Sequence, residues 1–173
     1  MAVVIDTARL QLQELDIDTH LNDLHEIESD ERIATLLKGL YVILHHRGII
    51  PRRSWTKILI LHSKTKKSIV ETRAWLQARL KDPSKPWINV LAIVVKPSGQ
   101  TDPHSKPKAI GMVGVPRLFR DESELGYGLH PDFWGRGLAT EAVNAFLKVH
   151  FKDPNASGLT ALVHCEHWGA EKC

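Results

Sequence analysis

Between Glu124 and Ala142 the chain reads Glu-Leu-Gly-Tyr-Gly-Leu-His-Pro-Asp-Phe-Trp-Gly-Arg-Gly-Leu-Ala-Thr-Glu-Ala. Gly135 and Gly137 stand just ahead of an amphipathic run and so lead into the first turn of a helix. The N–H groups of such a turn lack intrahelical partners, and the macrodipole puts partial positive charge on them. Glycine carries no Cβ, so the main chain there can approach a ligand closely. The combination suits an anion, and a pyrophosphate fits such a place. Arg136 can add a charge-assisted contact from its side chain. Two other phosphate loops match less well. The P-loop pattern Gly-x-x-x-x-Gly-Lys-Ser/Thr is absent. The dinucleotide fingerprint needs a third glycine, and that position holds Pro131 after Gly126-x-Gly128 and Thr140 after Gly135-x-Gly137.

The elements around this segment follow from periodicity and punctuation. Thr7 to Leu15 alternates, with Leu10 and Leu12 facing one way and Gln11 and Gln13 the other, as in a half-buried strand. Asp18 or Thr19 is expected to cap a short helix carrying Leu21, Leu24 and Ile27. Ser68 and Glu71 form a capping box ahead of a second helix with Ile69, Leu76 and Leu80 on its apolar face. Asp82, Pro83 and Pro86 stop that helix. Strands are expected over Trp87–Lys96, Ala109–Val115 (ended by Pro116) and Glu124–Leu129. Pro131 and Asp132 make a turn. A helix spans Trp134–His150, with Leu138, Ala142, Ala145 and Val149 on one face, and a short strand covers Leu159–Val163. This order predicts a mixed α/β domain with a largely antiparallel sheet and one right-handed parallel crossover.

With 173 residues, the length prior gives one domain, residues 1–173, large enough for a core without metals or disulfides. The net charge of +3 is too small to argue for nucleic acid. Cys165 and Cys173 are the only cysteines, so there is no disulfide framework and a reducing compartment is expected. Asp6 and Arg9 stand where a signal peptide needs an apolar run, and no stretch reaches the ~18 apolar residues of a membrane span. The expectation is a soluble, cytoplasmic protein without a membrane partner. His164-Cys165-x-His167 lacks the second cluster of a structural zinc site, so no metal ligand is expected there or at His45-His46.

The string from Glu124 to Ala142 resembles the coenzyme A motif of the GNAT acetyltransferase superfamily, in its RimJ/RimL-like branch. The superfamily pattern is Gln/Arg-x-x-Gly-x-Gly/Ala. Trp134-Gly-Arg-Gly137-Leu-Ala139 matches its Gly and Ala positions, and Trp134 replaces the first residue, as is common in this branch. The resemblance extends to Thr7-Ala-Arg-Leu-Gln-Leu as a first strand, Ser68 to Leu80 as a second helix and Ile110-Gly-Met-Val-Gly as a third strand. It implies the GNAT fold: a mixed, mostly antiparallel sheet flanked by helices, with a parallel strand-helix-strand acyl-CoA site.

The resemblance also implies acetyl-CoA as cosubstrate and a primary amine as acceptor, the acceptor itself being unreadable. The strand before the motif would splay from the next parallel strand and leave a gap for pantetheine, assigning Leu129 and His130 to that arm. Gly135, Arg136, Gly137, Leu138, Ala139 and Thr140 would hold the pyrophosphate, with Trp134 counted among the cosubstrate-binding residues. The amine must lose a proton before attack, and Glu124 is the candidate general base. Strand alternation puts Glu122, Glu124, Gly126 and Gly128 on one face, and the glycines leave room there. The competing reading of Glu124 is a salt-bridged strand carboxylate. Tyr127, on the other face, is expected in the core. In this branch an Asn-x-x-Ser follows the last strand; here His167 and Ala170 occupy those positions.

Two departures bear on activity. The family continues beyond the position of Cys173 with a helix and two strands, so the strand at Leu159–Val163 is expected to be an uncovered edge, inviting a homodimer or aggregation. From Ala34 to Val70 there is no Asp or Glu and there are eight Lys or Arg. The stretch from about 34 to 63 reads as an atypical insertion, with a pair of extra strands or helices as one form. A late insertion, an intron translated in frame and a basic interaction module are the other readings. A degenerate relative that binds coenzyme A without turnover is the alternative to an active N-acetyltransferase.

Overall fold

Leu10 and Leu12 are fully buried on one face of β2 (Leu10–Glu14), which pairs antiparallel with β1 (Val3–Asp6) through a tight turn. The structure is a computed structural model and describes residues 3–36, 41–45, 48–49, 68–96, 107–119, 122–154 and 156–164. From β2 the sheet continues through β5 (Asn89–Val95), β6 (Ala109–Phe119) and β7 (Glu122–Leu129), each antiparallel to its neighbour. β8 (Leu159–His164) then joins β7 in parallel. A hairpin of β3 (Tyr41–His45) and β4 (Gly48–Ile49) lies beyond β8, giving the order β1-β2-β5-β6-β7-β8-β3-β4. The predicted mixed, mostly antiparallel sheet with one parallel crossover is therefore present.

Helices cover both faces. α1 (Ile17–Ser29) and α3 (Ile69–Gln77) bury Leu21, Leu24, Ile27 and Leu76 against Val94 and Ala109 on one side, with the short α2 (Glu31–Leu36) following α1. α4 (Leu138–His150) packs Leu138, Ala142, Val143 and Phe146 against Leu10, Leu12, Ile93, Ile110 and Val113 on the other. Because the sheet is sandwiched, Gln13 is buried rather than solvated, and its amide donates to Gln11 Oε1 at 3.2 Å.

Local chemistry moved several expected boundaries. Asp16, not Asp18 or Thr19, caps α1, its carboxylate accepting from the Thr19 N–H. The capping box of Ser68 and Glu71 forms as predicted, but Ile69 is exposed and α3 ends at Gln77. Pro116 does not end its strand. β6 runs through it because the register with β7 shifts between Gly114 and Arg117, and a bulge spares proline its missing donor. α4 begins at Leu138, not Trp134, and Val149 faces outward while Phe146 takes the core position.

One expectation is overturned. β8 is not an uncovered edge, since β3 pairs with it from Tyr41↔His164 to His45↔Thr160. The dimerisation argument built on that edge loses its premise. The acid-free segment contributes this hairpin, in keeping with the reading of extra strands there. Its remaining parts, residues 37–40, 46–47 and 50–67, lie outside the described residues, as do Cys165, His167, Ala170 and Cys173.

Candidate functional site

β7 is the strand from which the site is built. Its pairing with β8 runs from Ser123↔Leu159 to Leu125↔Ala161 and ends there, while β7 continues to Leu129. The two parallel strands thus part over the last four residues of β7. On the other side β7 stays paired with β6 to Gly111↔Leu129, and the His130 N–H donates to the Ile110 carbonyl at 2.8 Å. Antiparallel strands alternate the direction of their main-chain groups. His130, Gly128 and Gly126 therefore turn theirs to β6, and Leu129 and Tyr127 turn theirs to the side where β8 departs. The Leu129 carbonyl on that side accepts from the Trp134 indole N–H at 2.9 Å. A Cβ added at Gly128 would meet nothing within 4 Å, so the strand is open over that residue. Tyr127 is 38% exposed rather than in the core, although Leu125 and Leu129 on the same face of the strand pack with the α4 cluster.

Beyond Leu129 a one-turn 3-10 helix (Pro131–Phe133) turns the chain, held by the Asp132 N–H on His130 Nδ1 at 3.2 Å. His130 is buried beside Asp132 and Glu26, its ring nitrogens 3.7 Å from each carboxylate. Arg32 reaches the same turn from α2 and donates to Asp132 Oδ1 at 2.9 Å. Its pKa is raised by hydrogen bonds to Asp30 and then Asp132.

Gly135 and Gly137 both take φ +72°, the left-handed region that glycine occupies without strain. Gly137 is the N-cap of α4 and supplies no side-chain cap, so the first-turn amides of Leu138 to Thr140 follow a bare helix start. Leu138 is buried and Ala139 packs on the core, so these two can offer a ligand only main chain. Thr140 is half-buried. The Arg136 guanidinium lies 5.4 Å from the Phe133 ring centre, and Trp134 is 39% exposed beside the loop.

Three groups at this loop were not singled out from the sequence. Glu141, in the first turn of α4, accepts from the Thr7 hydroxyl at 2.7 Å, the Arg9 N–H at 2.9 Å and Arg9 Nε at 2.7 Å. Burial alone would raise the Glu141 pKa, but the Thr7 hydroxyl and the Arg9 amide and guanidinium outweigh it and hold it below the usual carboxylate value. Arg9 Nη1 also donates to the Arg136 carbonyl at 2.9 Å. From the sequence Thr7 and Arg9 were read within a first strand, with Arg9 also a charge against a signal peptide; they lie in the turn between β1 and β2, and no spacing rule links them to residue 141.

Glu124 is buried, and Arg117 grips it through both oxygens, Nε to Oε2 at 2.8 Å and Nη2 to Oε1 at 3.1 Å. The bulge at Pro116 brings the two into register. Arg79 lies close enough to feel both charges. Burial pulls its pKa down to about 10, and it stacks 3.7 Å over Trp75. Among the described residues no group of three or more His, Cys, Asp or Glu could hold a metal ion, and no helix is long and apolar enough to cross a membrane.

Comparison with known proteins places the chain in context. A family model described as an acetyltransferase (GNAT) domain matches residues 9–173. No curated protein matches the chain. Solved structures do. An acetyltransferase from Agrobacterium tumefaciens is 18% identical, with a TM-score of 0.61 over 99% of this chain and 81% of the other. RimL, a ribosomal L7/L12 alpha-N-protein acetyltransferase solved with coenzyme A, is 14% identical, with a TM-score of 0.61 over 96% of this chain and 77% of its own. The microcin C7 self-immunity acetyltransferase MccE, solved with acetyl-CoA and AMP, is 14% identical, with a TM-score of 0.61 over 96% and 76%. At these identities the likeness is one of fold.

Proposed function

The chain belongs to the GNAT acetyltransferase family, and from that premise we propose that it transfers the acetyl group of acetyl-CoA to a primary amine. The observation that carries the reading is the parting of β7 from β8 beyond Leu125, directly ahead of a glycine loop and the bare start of α4. A pantetheine arm needs an extended slot with main-chain partners, and the parted stretch of β7 is of that form. A pyrophosphate needs converging N–H groups and positive charge, and Gly135 to Thr140 with Arg136 offer both. The fit favours Leu129 over His130 for the pantetheine arm, because the His130 N–H is already bonded to Ile110. Trp134 stands at the junction of slot and loop, where its indole fixes the Leu129 carbonyl.

The cosubstrate supplies an activated acetyl group on sulfur. The chain's share is to bind it, to orient the acceptor and to move a proton. An ammonium must give up a proton before its nitrogen lone pair can form the new C–N bond, and the departing sulfur takes the electron pair of the broken C–S bond. Glu124 is the proposed proton acceptor. Each of its oxygens keeps lone pairs that Arg117 does not use, directly or through one water. RimL, by its description an alpha-N-protein acetyltransferase, supports an amine as the starting class, and the acceptor is to be found by screening.

The grip of Arg117 on both Glu124 oxygens favours a second reading, coenzyme A binding without turnover. One assay separates the two. Release of free coenzyme A thiol is followed with acetyl-CoA and a panel of N-terminal peptides, polyamines and small amines, with mass spectrometry of the products. Thiol release that depends on an amine, with one acetyl group gained by it, is the expected result. Binding of acetyl-CoA with no amine-dependent release across the panel would favour the second reading.

A further inference from the structure

The peptide between Arg136 and Gly137 lies at the centre of the glycine loop. It is trans, as are all the described peptide bonds. A trans peptide points its C=O and its N–H in opposite directions. The Arg136 carbonyl is turned to the β1–β2 side, where Arg9 Nη1 donates to it at 2.9 Å. The Gly137 N–H is therefore turned the other way, off the loop's far side. Gly137 sits at φ +72°, and glycine alone is about as stable on either side of φ zero. A half-rotation of this peptide plane is thus open to the loop. It would hide the N–H and show the carbonyl oxygen, the negative end of the dipole, to any anion at the start of α4.

Arg9 is itself fixed. Its Nε and its backbone N–H both donate to Glu141, whose carboxylate belongs to the first turn of the same helix. A Cβ placed on Gly137 would lie 3.7 Å from Arg9 Nη2, so the guanidinium backs onto the loop. The helix thus holds Arg9 through Glu141, and Arg9 holds the peptide plane just ahead of the helix.

We infer that Arg9 is a positioning residue that locks the 136–137 peptide with its N–H toward the bound pyrophosphate and its carbonyl away from it. The inference rests on the coenzyme A reading of this loop. Its role goes beyond tethering the hairpin, because the Thr7 hydroxyl and the Arg9 backbone N–H hold Glu141 without the guanidinium. The Arg9 side chain is accordingly removable without undoing that tether.

The test uses the full chain with Arg9→Gln and Arg9→Lys. Calorimetry measures the Kd of coenzyme A and of S-acetylpantetheine, which lacks the pyrophosphate. The φ of Gly137, +72° here and carried to the negative side by a half-rotation of the plane, is read from its three-bond HN–Hα coupling to each Hα in the ligand-free protein. Arg9→Gln is expected to weaken coenzyme A by about tenfold or more, the scale of a lost charge-assisted hydrogen bond. S-acetylpantetheine is expected to bind as before, and the Gly137 coupling to change. Arg9→Lys keeps one donor and is expected to recover part of the loss. An unchanged Kd for coenzyme A, an equal loss for both ligands or an unchanged Gly137 coupling would each overturn the inference. Should the unmodified chain bind no coenzyme A, the functional reading fails, and the coupling still decides whether Arg9 locks the peptide.

Discussion

Glu124 and Arg117 face each other across β7 and β6, and the weight of that pair in the chemistry is measurable. If Glu124 takes the acceptor's proton, Glu124→Gln lowers kcat by about 100-fold or more, the usual share of a general base, and leaves KM for acetyl-CoA unchanged. Steady-state kinetics with the best acceptor, beside a melting curve for the same variant, checks this. An intact kcat with a lowered melting temperature would make Glu124 a structural partner of Arg117. Its position on the glycine-bearing face of the strand was readable from alternation. The arginine was not, because Pro116 reads as a strand end, and it is the bulge there that sets Arg117 against Glu124. The glycine loop shows the same division. Gly135 and Gly137 announce themselves by spacing, whereas the Arg9–Glu141 contact joins residues 132 positions apart and leaves no local trace.

Among the elements, α3 separates what capping does from what burial does. Ser68 accepts from the Val70 N–H at 3.1 Å, and the Glu71 carboxylate closes the box on the Ser68 N–H at 3.3 Å. Ser68→Ala is expected to cost about 1 kcal/mol of stability. Ile69, exposed one residue on, is expected to tolerate alanine within about 0.5 kcal/mol. Urea midpoints of the two variants check the contrast, and an equal loss in both would contradict it. The capping box was legible because both partners lie within four residues. The outward turn of Ile69 was not, since the first turn of a helix meets the sheet at an angle only the packed structure sets. Gln13 carries the same lesson. Alternation placed it opposite Leu12 correctly, but whether that face meets water depends on α1 and α3 lying over it.

At the scale of the molecule, pH reports on the packing of α1. His20 is 2% exposed, and its Nδ1 accepts the Asp16 N–H at 3.1 Å. Burial lowers its pKa, with the charge of Asp16 opposing in part. The unfolded chain then binds this proton more readily than the folded one, so stability rises with pH. The contribution is complete above about pH 6.5, the ordinary histidine value, and is lost as the pH falls below it, by at most about 1.4 kcal/mol per pH unit for one proton. Glu141 acts in a separate, lower window, its contribution present above the usual carboxylate pKa and lost below it. Denaturation midpoints from pH 7.5 to 5.5 are expected to fall, and to fall less in His20→Gln. An equal fall in that variant would assign the effect to another group. Strands matching β2, β5, β6 and β7 and a largely antiparallel sheet were legible, whereas β1 at Val3–Asp6 was not expected and the seating of β3 against β8 depends on pairing across more than a hundred residues, beyond any local pattern.

The most direct test of the central claim is the thermal stability of the chain with and without acetyl-CoA. A ligand at a hundred times its Kd adds about 2.7 kcal/mol to the folded state, so a clear rise in melting temperature is predicted. That rise is predicted to vanish in Gly137→Trp, where a side chain would have to sit at φ +72° in the loop. A folded chain whose melting temperature does not move with acetyl-CoA would contradict the account.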